Sequence, residues 1–87
     1  MRFEWDSEKA ARNRAKHGVS FVEASTAFGD PLSVTIADPL HSSSEDRFVL
    51  FDMSEQGRFL AVVHTDRDGT TRVISARLMT RHERQQY

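Results

Sequence analysis

The dipeptide Asp68-Gly69 constrains this chain more than any other feature of its sequence. Both residues tolerate the positive φ of a two-residue type I′ turn, and β-prone runs flank them, Arg58 to Asp66 and Thr71 to Leu78. Such a turn fixes the register. Arg67 faces Thr70, and counting outward sets Val63 opposite Ile74, Ala61 opposite Ala76 and Phe59 opposite Leu78. These pairs read as the core side. The alternate positions place Arg58, Leu60, Val62 and His64 beside Val73, Ser75 and Arg77, with Leu60 opposite Arg77. The second face therefore gathers two arginines, a histidine and a hydroxyl.

The rest of the chain is organised around that hairpin. Its 87 residues suit one domain, 1–87, with one modest core. Met1 to Glu4 forms a short strand or an ordered arm. Asp6 or Ser7 caps a helix that runs to about His17 and stops at Gly18. Ser20-Phe21-Val22-Glu23 is a capping-box pattern opening a second helix that ends at Gly29, with Phe21, Ala24 and Phe28 on its apolar face. After Asp30-Pro31 the period changes. Ser33 to Ala37, Arg47 to Met53 and the two hairpin runs read as strands, and Thr80-Arg81-His82-Glu83 caps a terminal helix through Tyr87. This order predicts a small α+β fold: two N-terminal helices, a four-stranded antiparallel meander and a C-terminal helix. At the turn Ser54-Glu55-Gln56-Gly57, a four-residue loop sets Arg47 opposite His64, and a three-residue loop turns Arg47 to the other side. The first is preferred because it enlarges a coherent cationic patch.

Composition excludes several classes. There is no cysteine, so disulfides, thiolate chemistry and Cys-based zinc sites are out. The longest apolar run, Phe59 to Val63, is too short to span a membrane, and no leader pattern marks the chain for export, so a cytoplasmic location is expected. Net charge is −1, which argues against indiscriminate nucleic-acid binding. Ten of the twelve basic residues are nevertheless arginine, whose planar fork grips phosphate or carboxylate bidentately.

Four constellations carry possible chemistry. Arg47, Arg58, Arg72 and Arg77 are strand-borne cations suited to a charged transition state, or equally to a protein interface. The histidines His17, His41, His64 and His82 match no metal-ligand spacing, and His41 has Glu45 four residues on. Lys9, Asn13, Lys16 and His17 share a helical stripe that reads as a solvated face or a wall tracking an RNA backbone. Glu83, Arg84 and Tyr87 share one side of the last helix, where the tyrosine can stack on a base, donate a proton or pack on the sheet edge. No cofactor motif is present.

Several stretches together resemble the BrnT family of bacterial toxins. They are Phe3-Glu4-Trp5-Asp6, Lys9, Asn13 and Lys16-His17-Gly18-Val19-Ser20-Phe21, then Asp30-Pro31, His41-Ser42, Glu45 and Arg47, and finally Gly57-Arg58, Arg72, Ile74-Ser75-Ala76-Arg77, Glu83-Arg84 and Tyr87. Asp52 departs from the usual glycine and Leu78-Met79 from a basic residue plus alanine. The resemblance implies a RelE-like fold and a type II toxin acting as a ribonuclease that blocks translation. It further implies neutralisation by a BrnA-type ribbon-helix-helix antitoxin in a heterotetramer that represses its own operon, with operator DNA contacted only through the antitoxin.

The implied reaction is a metal-independent attack of a 2′-hydroxyl on the adjacent phosphate, which leaves a 2′,3′-cyclic phosphate. It needs a base, cations for the phosphorane and an acid for the leaving oxygen. Arg58 and Arg77 are assigned to the phosphate with Arg47 in support, Glu45 or His41 to the base, and His64 or Tyr87 to the acid. Lys9, Asn13, Lys16, His17 and Arg72 are assigned to the RNA strand. The rival reading is a non-catalytic binding module or co-repressor whose cationic face docks an antitoxin or another acidic partner.

Overall fold

The computed structural model describes residues 1–38 and 46–87. The elements are β1 (Arg2–Glu4), α1 (Ser7–His17), α2 (Phe21–Thr26) with a 3₁₀ turn (Ala27–Gly29), β2 (Val34–Ala37), β3 (Phe48–Met53), β4 (Phe59–Arg67), β5 (Thr70–Leu78) and α3 (Arg81–Gln86). The α+β class agrees with the sequence reading. Strands β2 to β5 form the expected antiparallel meander, and β1 adds a fifth strand parallel to β5, in the order β1-β5-β4-β3-β2. The sheet is therefore five-stranded and mixed, not four-stranded.

The caps explain the helix limits. The Asp6 carboxylate accepts the N–H groups of Glu8 (2.8 Å) and Lys9 (3.1 Å), and Gly18 closes α1 in the left-handed region at φ 70°. The Ser20 hydroxyl accepts the Glu23 N–H at 3.0 Å, but α2 ends at Thr26, earlier than the sequence predicts. There the Ser25 and Thr26 hydroxyls bond back to the carbonyls of Val22 (2.7 Å) and Glu23 (2.6 Å), and the chain tightens into the 3₁₀ turn. In α3 the capping box of Thr80 and Glu83 is complete.

The hairpin turn forms as its dipeptide dictates, with φ 51° at Asp68 and 78° at Gly69, and with Arg67 opposite Thr70. The predicted register then fails at a β-bulge. His64 pairs with Val73 but Val63 pairs with Ser75, so Ala61 faces Arg77 and Leu60 faces Leu78. The β3–β4 connection is the three-residue alternative, with Gly57 at φ 82°, Phe48 opposite His64 and Arg47 turned to the other face.

These shifts exchange the two faces. Leu60, Val62, Val73 and Ala76 are buried with Val19, Phe21 and Ala24 beneath α1 and α2, and Phe3, Trp5, Ala10 and Phe28 pack around them. The opposite face carries a smaller cluster of Phe51, Ala61 and Met79, with Val49 packed against it. Phe59 and Leu78, predicted for the core, stay exposed at the end of the sheet. Alternation could not orient the sheet because both faces of β4 are apolar.

Beyond the three residues of β1, a side chain completes the edge of β5. Buried Asn13 donates to the carbonyls of Ala76 (2.8 Å) and Val19 (3.0 Å) and accepts the Ala76 N–H (3.1 Å). Its amide mimics a strand and fastens α1 to the sheet.

Candidate functional site

Two arginine–glutamate pairs mark the end of the sheet where β4 begins and β5 ends, one on each face. On the α1/α2 face, Arg58 donates from Nε to Glu23 Oε2 (2.9 Å) and from Nη2 to Glu23 Oε1 and to the Gly18 carbonyl (2.9 Å). The buried Ser54 hydroxyl donates to the same carboxylate at 2.8 Å. The Arg58 guanidinium holds the Glu23 carboxyl below its ordinary pKa, with Ser54 adding to the effect, and Glu23 in turn raises Arg58. This network ties the junction of α1 and α2 to the β3–β4 turn.

On the other face, Arg77 grips Glu83 bidentately, Nη1 to Oε1 at 2.6 Å and Nη2 to Oε2 at 3.0 Å. The pair pushes the Glu83 carboxyl down to about 2, helped by the Thr80 N–H, and raises Arg77. Two further contacts seat α3: Arg84 lies 4.8 Å above the Phe59 ring, and the Tyr87 ring stacks on Phe51 at 4.2 Å. Phe51, Ala61 and Arg77 form one row across β3, β4 and β5. The helix thus bridges that row, held at Arg77 on one side and Phe51 on the other.

The structure divides the residues predicted to act together. Arg58 and Arg77 share one end of the sheet but lie on opposite faces. Arg72 pairs with Thr65, four residues along β4 from the partner of Arg77, a separation of ~13 Å. Arg47 lies in the same distant region, where Thr65 bonds the Asp46 carbonyl at 2.8 Å. Arg72 approaches Glu4 at 3.9 Å. The predicted patch of Arg58, His64, Arg77 and Arg47 on one surface is thereby corrected.

His64 is 3% exposed, with Phe28 and Phe48 ring centroids at 4.8 and 5.9 Å, and burial lowers its pKa. It is a core histidine, out of reach of a leaving group. Asn13 is likewise buried in the β5 edge and unavailable to RNA. Lys9 and Lys16 are exposed on α1, and His17 is half-buried beside Gly18. Tyr87 is exposed on α3. His41 and Glu45 lie outside the described residues. Asp52 is on the α1/α2 side, opposite Leu60, where burial and the nearby Asp30 raise its pKa, so it does not border Arg77.

Sequence reasoning gave no role to Glu23, Glu83 or Arg84. Glu83 carried a signal, its place in the Thr80 capping box, and Arg84 follows it on the helix. Nothing local links Glu23 to Arg58, 35 residues away.

The chemistry available at this end is anion binding. Arg58, Arg77 and Arg84 share that end, Arg58 on the α1/α2 face and Arg77 and Arg84 on the α3 face, with Lys16 and His17 preceding the Gly18 carbonyl that Arg58 contacts, and Tyr87 supplies a hydroxyl on the α3 side. Among the described residues no group of three His, Asp or Glu could hold a metal, and no helix is long and apolar enough to cross a membrane.

A family model described as ribonuclease toxin BrnT of a type II toxin-antitoxin system matches residues 5–83. The fold is similar to the 1.1 Å crystal structure of the Brucella abortus ribonuclease toxin BrnT, with TM-score 0.68, 21% identity, and coverage of 93% of this chain and 99% of that one. Comparison with curated proteins gives no match.

Proposed function

Because the chain belongs to the BrnT family of ribonuclease toxins of type II toxin-antitoxin systems, we propose that it cuts RNA at the end of the sheet where Arg58, Arg77 and Arg84 gather. The observation that carries this placement is that three guanidinium groups share one end of the sheet, one of them bonded to the C-terminal end of α1. An RNA backbone can round the sheet there from Lys16 and His17 to Arg77 without leaving positive charge. Lys9 lies further back on α1, and Arg47 and Arg72 meet the strand at the far end of the sheet.

The cleavage is a metal-independent transesterification. The 2′-hydroxyl oxygen bonds to the adjacent phosphorus, the P–O5′ bond breaks, and the products are a 2′,3′-cyclic phosphate and a 5′-hydroxyl. Arg77 and Arg58 stabilise the phosphorane, for which the phosphate must compete with Glu83 and Glu23. Tyr87 protonates O5′. Glu45 or His41 takes the 2′-hydroxyl proton, an assignment resting on the sequence alone. Glu83, ionised down to a pKa of about 2, is a poor base.

A type II toxin is paired with an antitoxin. The finer reading is a BrnA-type ribbon-helix-helix partner in a heterotetramer that binds operator DNA through the antitoxin. The whole chain, 1–87, acts as one RelE-like domain in the cytoplasm.

One observation favours a second reading, a non-catalytic module that docks its antitoxin: Arg58 and Arg77 each already hold a carboxylate. End-labelled RNA incubated in EDTA with antitoxin-free protein separates the two. Cyclic-phosphate products from the parent and none from Arg77→Ala or Tyr87→Phe support the ribonuclease. Intact RNA throughout, with antitoxin binding retained, supports the module.

A further inference from the structure

A cleft of about 290 Å³ opens between β4, β5 and α3, lined by Gly57, Arg58, Phe59, Leu78, Met79 and Arg84. Its lining combines two guanidinium groups with three apolar side chains. Phe59 (36% exposed) and Leu78 (48% exposed) are large apolar side chains left open beside two guanidinium groups. That juxtaposition suits a ligand with a flat apolar part and a negative charge. Arg84 forms no ion pair among the described residues, and its planar group over the Phe59 ring extends the aromatic surface into a stacking platform. Arg58 commits Nε and Nη2 to Glu23 and Gly18, and Nη1 has no hydrogen-bond partner among the described residues.

We propose that this cleft seats the nucleotide next to the scissile phosphate, its base on the Phe59–Arg84 platform against Leu78, and its phosphate between Arg84 and Nη1 of Arg58. The inference rests on the ribonuclease reading and adds a substrate-positioning subsite built from Phe59, Leu78 and Arg84, with Arg58 shared between it and the reacting phosphate. Stacking tolerates any base, so the subsite contributes affinity and register along the strand with little sequence choice. An amphipathic acidic peptide shares the charge but offers a flat ring only where an aromatic side chain adjoins a carboxylate, whereas every nucleotide joins a ring to a phosphate.

The test uses a 2′-O-methyl oligoribonucleotide, which has no free 2′-hydroxyl and cannot be cut by transesterification. Methyl NMR signals of Leu78 and Met79 are followed during its titration into the parent, Arg84→Ala and Arg81→Ala, the last removing a charge from the same helix outside the cleft. The expected result is saturable shifts in the parent and Arg81→Ala, and their loss in Arg84→Ala. In cleavage assays Arg84→Ala then raises KM about tenfold with kcat little changed, the mark of lost binding shared by ground and transition states. Shifts without any RNA cleavage leave the subsite standing and overturn the ribonuclease reading. Cleavage with no methyl shift, or with KM unchanged in Arg84→Ala, overturns the subsite. Methyl shifts from an acidic peptide but not from RNA overturn it in favour of a protein-docking cleft.

Discussion

The two faces of one sheet use the same chemical pair in opposite ways. Beneath α1 and α2, Glu23 is buried, shared by Arg58 and Ser54, and walled in by the main core. Beneath α3, Glu83 holds Arg77 on a helix with no buried residue of its own. The two arginines are equally exposed, at 39% and 40% of their side chains, and the difference lies in the carboxylates, 7% exposed at Glu23 and 18% at Glu83. The more deeply a charge is buried, the more it depends on its partner. The first pair therefore reads as a clamp that leaves only Nη1 of Arg58 for a phosphate. The second reads as a latch whose arginine can pass from a carboxylate to a phosphate.

The strongest challenge to this contrast lies on the closed side. Asn13→Ala leaves the Ala76 N–H and two carbonyls unpaired in the interior and is expected to cost about 3 kcal/mol in denaturant unfolding. Glu23→Gln retains the shape but removes the buried charge, and about 2 kcal/mol of destabilisation is expected. A loss as small as that from the α3 variants would mean the two faces do not differ in kind.

On the open side, Glu83→Gln should cost only about 1 kcal/mol, because the Glu83 carboxylate keeps more contact with water than that of Glu23. It should also tighten RNA binding by freeing that arginine. Weaker binding would show that Glu83 positions Arg77 instead of competing for it. The pH dependence has a definite sign. The Glu83 pKa is depressed in the folded state, so its stabilisation is complete above the ordinary glutamate range and disappears as pH falls toward 2. Chemical shifts of α3 should therefore move in that window before the core unfolds. The smallest stability effect belongs to Tyr87→Phe, within about 0.5 kcal/mol because the ring still stacks on Phe51, while RNA cleavage is lost.

What the sequence disclosed follows how local each signal is. Asp6, Ser20 and Thr80 announced their caps, and Asp68-Gly69 announced the turn, because each acts on neighbours within four residues. The bulge at Val73 and Ile74 was hidden, since a ladder written as strict alternation has no place for an extra residue. One missed residue turned Arg77 to the face opposite Arg58 and divided the predicted patch. The pairing of β1 with β5 and of Glu23 with Arg58 are distant contacts that no local pattern encodes. His64 was misread because burial, not residue type, decides whether an imidazole meets solvent.

The Asn13–Ala76 bonds also set a schedule for folding. They join residues 63 positions apart, and β1 reaches just as far to pair with β5. Contacts so distant close late and slowly. A nascent chain can form α1 and α2 early, yet the edge they dock on does not exist until Ala76 has left the ribosome. Docking of α1 and α2 on the sheet edge thus waits for β5, whatever helix they have already formed.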